Sequence, residues 1–258
     1  MKVVFFCGGQ GTRFGARSDD TPKPLAKIGG RPMLWHLMKY YSHFGHTHFI
    51  LCLGHKGDLI KRFFVDHGDH MASGPNLANG DESIEIRNGD AADWRITFAE
   101  TGPRSSIAER LWAVRDLLRD EALFLANYSD GLTDLPLNGY LDDFAKTNSV
   151  AGFISVRDPQ TRHMVSSNKD GTVTDIRMLR DADLWVNGGF FIMRQAIFDY
   201  ATDGEDLVDG TFQRLIEARR LFTHRYQGFW TCVDTAKDLD ELNRCHDRGD
   251  GPWEVWNR

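Results

Sequence analysis

The stretch Lys2-Val3-Val4-Phe5-Phe6-Cys7-Gly8-Gly9-Gln10-Gly11-Thr12-Arg13-Phe14-Gly15 decides the fold class. Residues 2–7 are apolar without alternation and end abruptly at glycine, the pattern of a strand buried on both faces of a parallel sheet. Glycines directly after such a strand let backbone N–H groups approach an anion that a Cβ would push away, and Arg13 with the proline-bracketed Lys23 adds fixed positive charge. The run is not the dinucleotide fingerprint, because Phe14 stands where a third glycine is needed. Nor is it a P-loop, because no Gly-Lys-Ser/Thr follows. A tight strand-to-helix turn accounts for two glycines; four of them beside Arg13 and Lys23 suit a triphosphate.

Working outward, Pro32 to Gly45 carries Met33, Leu34, Leu37, Met38, Tyr41 and Phe44 at helical spacing, with proline at the start and glycine at the end. A second buried strand is expected at 49–54 and a second helix from Gly57 to Val65, giving βαβα order and hence a parallel α/β sheet. Between 67 and 93 the composition turns to Gly, Asp, Asn, Ser and Ala, with one alternating piece at Ser83–Arg87, so an excursion from the main sheet is expected there. A strand follows at 94–99, a helix at 106–118 and a third apolar strand at 122–127, ending near Asp130-Gly131. Further strands are expected at 150–156, 172–176, 189–193 and 221–226, and helices at 138–147, 195–201, 211–220 and 236–247. No internal repeat is visible, and residues 1–258 read as one domain. Ligands of open α/β sheets bind at the carboxyl ends of the strands, which puts the glycine turn and Asp130 where chemistry is expected.

Composition narrows the function. With Lys+Arg 31 against Asp+Glu 37 the chain carries a net charge of −6, so no general positive field exists to hold nucleic acid or an anionic membrane. The six-residue apolar run at the N-terminus is too short for a signal h-region, and no run approaches the roughly 18 residues of a membrane span. A soluble cytoplasmic chain is expected. Cys7, Cys52, Cys232 and Cys245 lack paired spacing and read as free thiols. His43, His46, His48 and His55 near Cys52, and the pair Cys245-His246, have no zinc-ligand spacing.

Beyond these patterns, Gly8-Gly9-Gln10-Gly11-Thr12-Arg13 with Pro22-Lys23-Pro24-Leu25 and Ile28-Gly29-Gly30-Arg31-Pro32-Met33-Leu34 resembles the N-terminal signature of the sugar-1-phosphate nucleotidyltransferases. Leu34-Trp35-His36-Leu37-Met38, Cys52-Leu53-Gly54-His55-Lys56-Gly57, Asn187-Gly188-Gly189-Phe190-Phe191, Gly228-Phe229-Trp230 with Val233-Asp234-Thr235, and Gly251-Pro252-Trp253 are similar to the glucose-1-phosphate cytidylyltransferases in particular. The resemblance spans nearly the whole chain. It implies a Rossmann-like α/β fold, a mixed, mostly parallel sheet flanked by helices. Residues 1–135 would be mainly the nucleotide half; 136–258 would form an elaborated acceptor-binding half with a C-terminal helix. It also implies transfer of a nucleotidyl group from an NTP, best CTP, to a sugar 1-phosphate such as glucose 1-phosphate, releasing pyrophosphate, as a step of sugar-nucleotide biosynthesis. Gly8, Gly9, Gln10, Gly11 and Thr12 would cradle the nucleotide; Glu109 and Arg110, on the nucleotide-side loop, are further candidates to bind it. Arg13 and Lys23 would grip the reacting phosphates, Asp130 and Asp234 would hold Mg²⁺, and Asn187 would contact the sugar. A homo-oligomer is implied, with Trp230, Trp253, Trp256 and the 67–93 stretch available to pack against another subunit.

Taken alone, Asp130-Gly131 is also an ordinary turn, Asp234 an ordinary helix N-cap, and Asn187-Gly188 a turn. Three places depart from the family pattern. Ala108-Glu109 replaces two glycines; Glu109 could accept from a cytosine amino group or from guanine, or be a solvated helix residue. Arg162-His163-Met164-Val165 replaces an Arg-aromatic-Gly run. Leu179 stands where the family has a lysine for the sugar phosphate, leaving Arg177 or Arg180 to supply that charge beside Arg162. Two alternatives stay open: a different base or phosphate acceptor, and a protein that binds nucleotides or sugar nucleotides without turnover.

Overall fold

The computed structural model describes residues 1–9, 21–66, 70–72, 82–88, 91–157, 163–202 and 204–258. In chain order the strands and helices are β1 (Lys2–Phe6), β2 (Lys27–Ile28), β3 (Arg31–Pro32), α1 (Met33–His43), β4 (His48–Leu53), α2 (Gly57–Asp66), β5 (His70–Ala72), β6 (Glu82–Asn88) and β7 (Ala91–Glu100). There follow α3 (Ile107–Ala113), β8 (Leu123–Asn127), β9 (Gly131–Thr133), α4 (Leu137–Ala145), β10 (Ala151–Val156), β11 (His163–Ser167), β12 (Val173–Met178) and β13 (Val186–Asn187). The chain ends with β14 (Phe191–Arg194), α5 (Gln213–Glu217), β15 (Leu221–Tyr226), β16 (Trp230–Cys232) and α6 (Ala236–Asp247).

The central sheet is mixed, with a parallel heart. β1 lies between β4 and β8, and β7 continues beyond β4, all parallel. Past β8 the sheet turns antiparallel through β14 to β10, and β15 then runs parallel to β10. The unbroken apolar run of β1 follows from its position: Val3, Phe5 and Cys7 enter one core with α1, while Val4 and Phe6 enter a second core with α3 on the opposite face. Burying such a side chain contributes about 2 kcal/mol, so neither face tolerates a polar residue. The mixed, mostly parallel α/β sheet expected from the sequence is therefore present.

Several boundaries differ from expectation, each for a local reason. Within 67–93 the described residues belong to the main sheet: β6 and β5 extend it beyond β7 as antiparallel strands, Ile84 pairing with Ile96. Their turn-rich composition belongs to a hairpin edge. The strand expected at 189–193 starts only at Phe191, because Gly189 and Phe190 adopt positive φ of 69° and 52° and make a turn. The helix expected at 106–118 ends at Ala113 and continues as a 3₁₀ turn over Arg115–Leu118. Helix 195–201 is a 3₁₀ segment over Gln195–Asp199, and 211–220 divides into a π-helical turn (Leu207–Phe212) and α5. β11 was not expected; it pairs with β12 in a hairpin off the main sheet, Val165 opposite Ile176, both side chains exposed. No helix among the described residues is long and apolar enough to cross a membrane, and all four cysteines are free.

α1 carries the C-terminal segment on its outer side. Trp253, expected to be available to a second subunit, is 1% exposed in this chain's own core. Its Nε1 donates to His36 Nδ1 at 3.3 Å, while His36 Nε2 lies 3.0 Å from the Ile28 carbonyl oxygen. One ring nitrogen must accept and the other donate, so the buried imidazole is neutral. Burial lowers the His36 pKa to about 4, and burial likewise lowers His46 and His48 to about 4.

These groups are neutral in the fold yet protonate near 6.5 in the unfolded chain, so the unfolded state binds more protons between those values and stability falls as pH drops through that window. The His36 contribution is on the order of 3 kcal/mol, and the urea midpoint is expected to decline steadily from pH 6.5 to 4.5. A His36 imidazole that titrates near 6.5 by NMR contradicts this.

Candidate active site

Three chain segments meet at the carboxyl end of the parallel strands. Lys23 opens a 3₁₀ turn between Pro22 and Pro24. Asp130 follows β8, where Asn127 Oδ1 accepts from Ser129 N at 2.8 Å and Ser129 Oγ donates to the Phe6 carbonyl at 2.9 Å. That stitch ties the end of β8 to the end of β1, with Ser129 at φ 66°. Asp234 arrives through β16, which pairs with β9, and Val233 N donates to the Asp130 carbonyl at 2.9 Å. The hairpin thus sets two residues 104 positions apart side by side.

The three side chains form one cluster. Lys23 Nζ donates to Asp130 Oδ2 and to Asp234 Oδ1, each at 2.9 Å. Burial alone would lower the Lys23 pKa, but the two carboxylates outweigh it and hold the ammonium above its ordinary value. Burial pushes the Asp130 carboxyl up, with the Lys23 charge opposing it. Cys232 donates to Asp234 Oδ2 at 3.4 Å, and burial with the adjoining carboxylate pushes this thiol up to about 12, so it stays a donor.

Asp234 is not a helix N-cap. Thr235 holds that place: its side chain accepts from Asp238 N, while the Asp238 carboxylate accepts from Thr235 N at 2.7 Å and Asp234 N at 3.0 Å. The capping box therefore fixes the Asp234 backbone and leaves its carboxylate for Lys23.

Asp130 and Asp234 open onto a cavity of about 200 Å³ lined also by Asn127, Tyr128, Asn187, Trp230 and Cys232. Asn187 Oδ1 accepts from Gly189 N at 2.9 Å and its Nδ2 donates to the Tyr128 hydroxyl at 3.3 Å. Trp230 Nε1 donates to the Gly188 carbonyl at 2.9 Å. Asn187-Gly188 does form a turn, and the amide that shapes it forms part of the cavity wall. Tyr128 and Cys232 were missed from sequence. Trp230, Cys232 and Asp234 stand at every second position, the period that puts side chains on one strand face.

The remaining candidates divide by location. Arg110 is only 2% exposed and is pinned behind the glycine turn: its guanidinium donates to Gly8 O (3.0 Å), Leu53 O (3.1 Å) and Thr101 Oγ1 (2.7 Å). Its donors face the protein, which makes it a support of the turn in place of the base contact expected above. A Cβ built on Gly8 would lie 2.0 Å from that guanidinium, so glycine is required here by packing. Glu109 is the N3 residue of the α3 capping box; its Oε2 accepts from Ser106 N at 2.6 Å. Its carboxylate is engaged at the helix start, where an acidic group also complements the helix dipole. Arg177 sits on the exposed β12, 3.2 Å from Asp175 across an ion pair, and does not line the cavity. Arg180 lies in the 3₁₀ turn Leu179–Asp181; its side chain, and Gln10, Gly11, Thr12, Arg13 and Arg162, lie outside the described residues.

Comparison with known proteins gives the class. No family model matches. The chain is 36% identical over 258 residues to the probable glucose-1-phosphate cytidylyltransferase of Bacillus subtilis (strain 168), covering 99% of this chain and 100% of that one. It is 31% identical, with the same coverage, to the glucose-1-phosphate cytidylyltransferase of Salmonella typhimurium. Among solved structures, a Bacillus anthracis protein assigned as a glucose-1-phosphate thymidylyltransferase superposes with TM-score 0.65 at 17% identity, over 95% of this chain and 94% of that one. The chain belongs to the sugar-1-phosphate nucleotidyltransferases, and within them to the glucose-1-phosphate cytidylyltransferase family.

Gly8→Ala must displace a guanidinium held by three hydrogen bonds and is expected to destabilise the protein by about 2 kcal/mol. At Gly9 an added methyl meets nothing within 4 Å, so Gly9→Ala should leave the urea midpoint unchanged. Equal midpoints for the two variants contradict the packing account.

Proposed function

We propose that this chain transfers a cytidylyl group from CTP to a hexose 1-phosphate, glucose 1-phosphate first, giving a CDP-sugar and pyrophosphate. The observation that carries the reading is the Lys23–Asp130–Asp234 cluster at the mouth of the cavity, in a chain of this family. In the proposed reaction a phosphate oxygen of the sugar 1-phosphate attacks the α-phosphorus of CTP and the bond to the pyrophosphate oxygen breaks. The attacking oxygen is already anionic, so no protein nucleophile or general base is called for. Catalysis consists of aligning two polyanions and balancing the charge that shifts between them.

The residues divide the work accordingly. Residues 1–135 would serve mainly the nucleotide: Gly8 to Thr12 would bind its phosphates through backbone N–H groups, Arg110 braces Gly8, and Arg13 and Lys23 would bring positive charge. Residues 136–258 serve mainly the acceptor, whose sugar enters the cavity walled by Trp230, Tyr128 and the turn shaped by Asn187. Of Arg177 and Arg180, Arg180 is the proposed partner of its phosphate, in the role the family gives to the lysine replaced by Leu179, and Arg162 is the proposed acceptor contact near the sugar.

Asp130 and Asp234 fit Mg²⁺. Two carboxylates from separate strand ends already share one cation in the ammonium of Lys23, and hard oxygen ligands completed by water and phosphate suit that ion. When bound, it supplies Lewis-acid neutralisation of phosphate charge. The four thiols are free, in keeping with a reducing cytoplasmic compartment. A homo-oligomer is also proposed, on the exposed apolar pair Val165 and Ile176, and sedimentation of the purified chain checks it.

With Mg²⁺ present, the purified protein should release pyrophosphate from CTP and glucose 1-phosphate faster than from UTP, dTTP, GTP or ATP with the same acceptor. Lys23→Met should lower kcat by about 10²–10³. Nucleotide binding without pyrophosphate release from any NTP and sugar 1-phosphate pair contradicts the reading.

A further inference from the structure

We propose that Lys23 is the resident cation of its own metal site: in the nucleotide-free protein its ammonium holds the position between Asp130 and Asp234, and a divalent cation gains that position when a triphosphate draws the ammonium away. This rests on the reading of the two aspartates as the metal pair.

Three features carry it. The first is the bridge itself. Nζ lies 2.9 Å from one oxygen of each carboxylate, so a single positive charge sits between two negative ones. An ammonium and a dication cannot both occupy that point, because like charges at contact distance in a partly buried site repel strongly. The second is that the backbones of both aspartates are held without Lys23. Asp130 is placed by the Asn127–Ser129–Phe6 stitch and by Val233 N on its carbonyl. Asp234 is placed by Asp238 on its backbone and Cys232 on its second oxygen. The backbone positions of the acidic pair therefore do not depend on the lysine. The third is that the lysine is free to leave by its stem alone: Pro22 and Pro24 restrict the backbone on either side, while four methylenes give the ammonium reach at small conformational cost.

The charges make the exchange cooperative. With Lys23 in place the cluster carries one net negative charge, a poor attraction for a strongly hydrated dication. A triphosphate brings several negative charges and offers the ammonium a better partner, and its departure removes the positive charge that opposes the cation. Metal and nucleotide then assist one another through Lys23, and by linkage the assistance is mutual. Lys23 thereby acts twice, as a stopper before the nucleotide arrives and as a phosphate partner afterwards.

The test titrates Mn²⁺ into the full-length protein and follows free Mn²⁺ by electron paramagnetic resonance, with and without α,β-methylene-CTP. Without nucleotide, Lys23→Met and Lys23→Gln should bind Mn²⁺ about tenfold or more tighter than wild type, and Lys23→Arg, which keeps the charge, should show no gain. Adding Asp130→Asn to Lys23→Met should abolish the gain, assigning it to this pair. The analogue should tighten Mn²⁺ binding more in wild type than in Lys23→Met. Unchanged or weaker Mn²⁺ binding in both neutral variants overturns the exchange. So does tight binding of Mn²⁺ alone to wild type, at a Kd below about 10 μM, a result that needs no variant to fold. Formation of a CDP-sugar by wild type with no gain in the variants overturns the exchange and leaves the activity standing. A gain in the variants with no transfer from any substrate pair supports the exchange and removes the activity.

Discussion

One ammonium between two carboxylates organises this protein. Lys23 reaches Asp130 and Asp234, 107 and 211 residues away in the chain, and each of the three comes from a different part of the topology. Parallel pairing of β1 with β8 brings the ends of those strands to the same edge. Antiparallel pairing of β9 with β16 then folds the C-terminal third back onto that edge. A buried set of like charges without the lysine would be costly, and a lysine without the carboxylates equally so. The cluster is stable only when the N-terminal, middle and C-terminal parts are all in place, which couples the formation of the site to completion of the fold.

The rest of the scaffold can be understood as support for that edge. Arg110 reaches from α3 beneath the glycine turn and fastens it to the ends of β4 and β7 through Leu53 and Thr101. The space it fills is bounded by Gly8 and Gly54, where a Cβ would strike the guanidinium. Cys7, immediately before the turn, is a packing residue: burial pushes its thiol up to about 12, so it remains protonated. The cavity beside the acidic pair is shaped by a second set of polar contacts, Asn187 to Gly189 and Tyr128, and Trp230 to Gly188. Among the described residues that line the cavity, Asp130 and Asp234 are the charged side chains.

Much of this was legible in the sequence because both-face burial leaves a strong signature. β1, β4 and β8 read directly as unbroken apolar runs, and α1 from helical spacing with clear ends. The sheet edge was harder. β6 and β7 pair as adjacent antiparallel strands, and turn-forming composition between strands looks the same whether the chain leaves the sheet or extends it. The turn at Gly188–Phe190 hid in an apolar stretch that periodicity alone assigns to a strand. At the site, Lys23 was marked by its charge beside the glycine turn and Asp130 by its place at a strand end, while Asp234 and the metal role of both aspartates came through resemblance, since an aspartate before glycine or before a helix is commonplace. What sequence could not separate was which acidic residue caps the helix: Thr235 and Asp238 do so, and only geometry shows Asp234 released. Glu109 is the converse case, a carboxylate open to several roles that its own helix start engages. Arg110 looked like a ligand contact because its burial is a property of the folded chain.

The central claim is that Lys23 and Asp130 hold the site together as a pair, and a double-mutant cycle measures it most directly. Urea unfolding in the presence of a chelator would be compared for wild type, Lys23→Met, Asp130→Asn and the double variant. Because the side chains are partly accessible, 15% for Lys23 and 34% for Asp130, solvent screening limits the interaction, and a coupling energy of about 1 kcal/mol or more is expected. Single-variant effects that add to within about 0.3 kcal/mol would contradict the account.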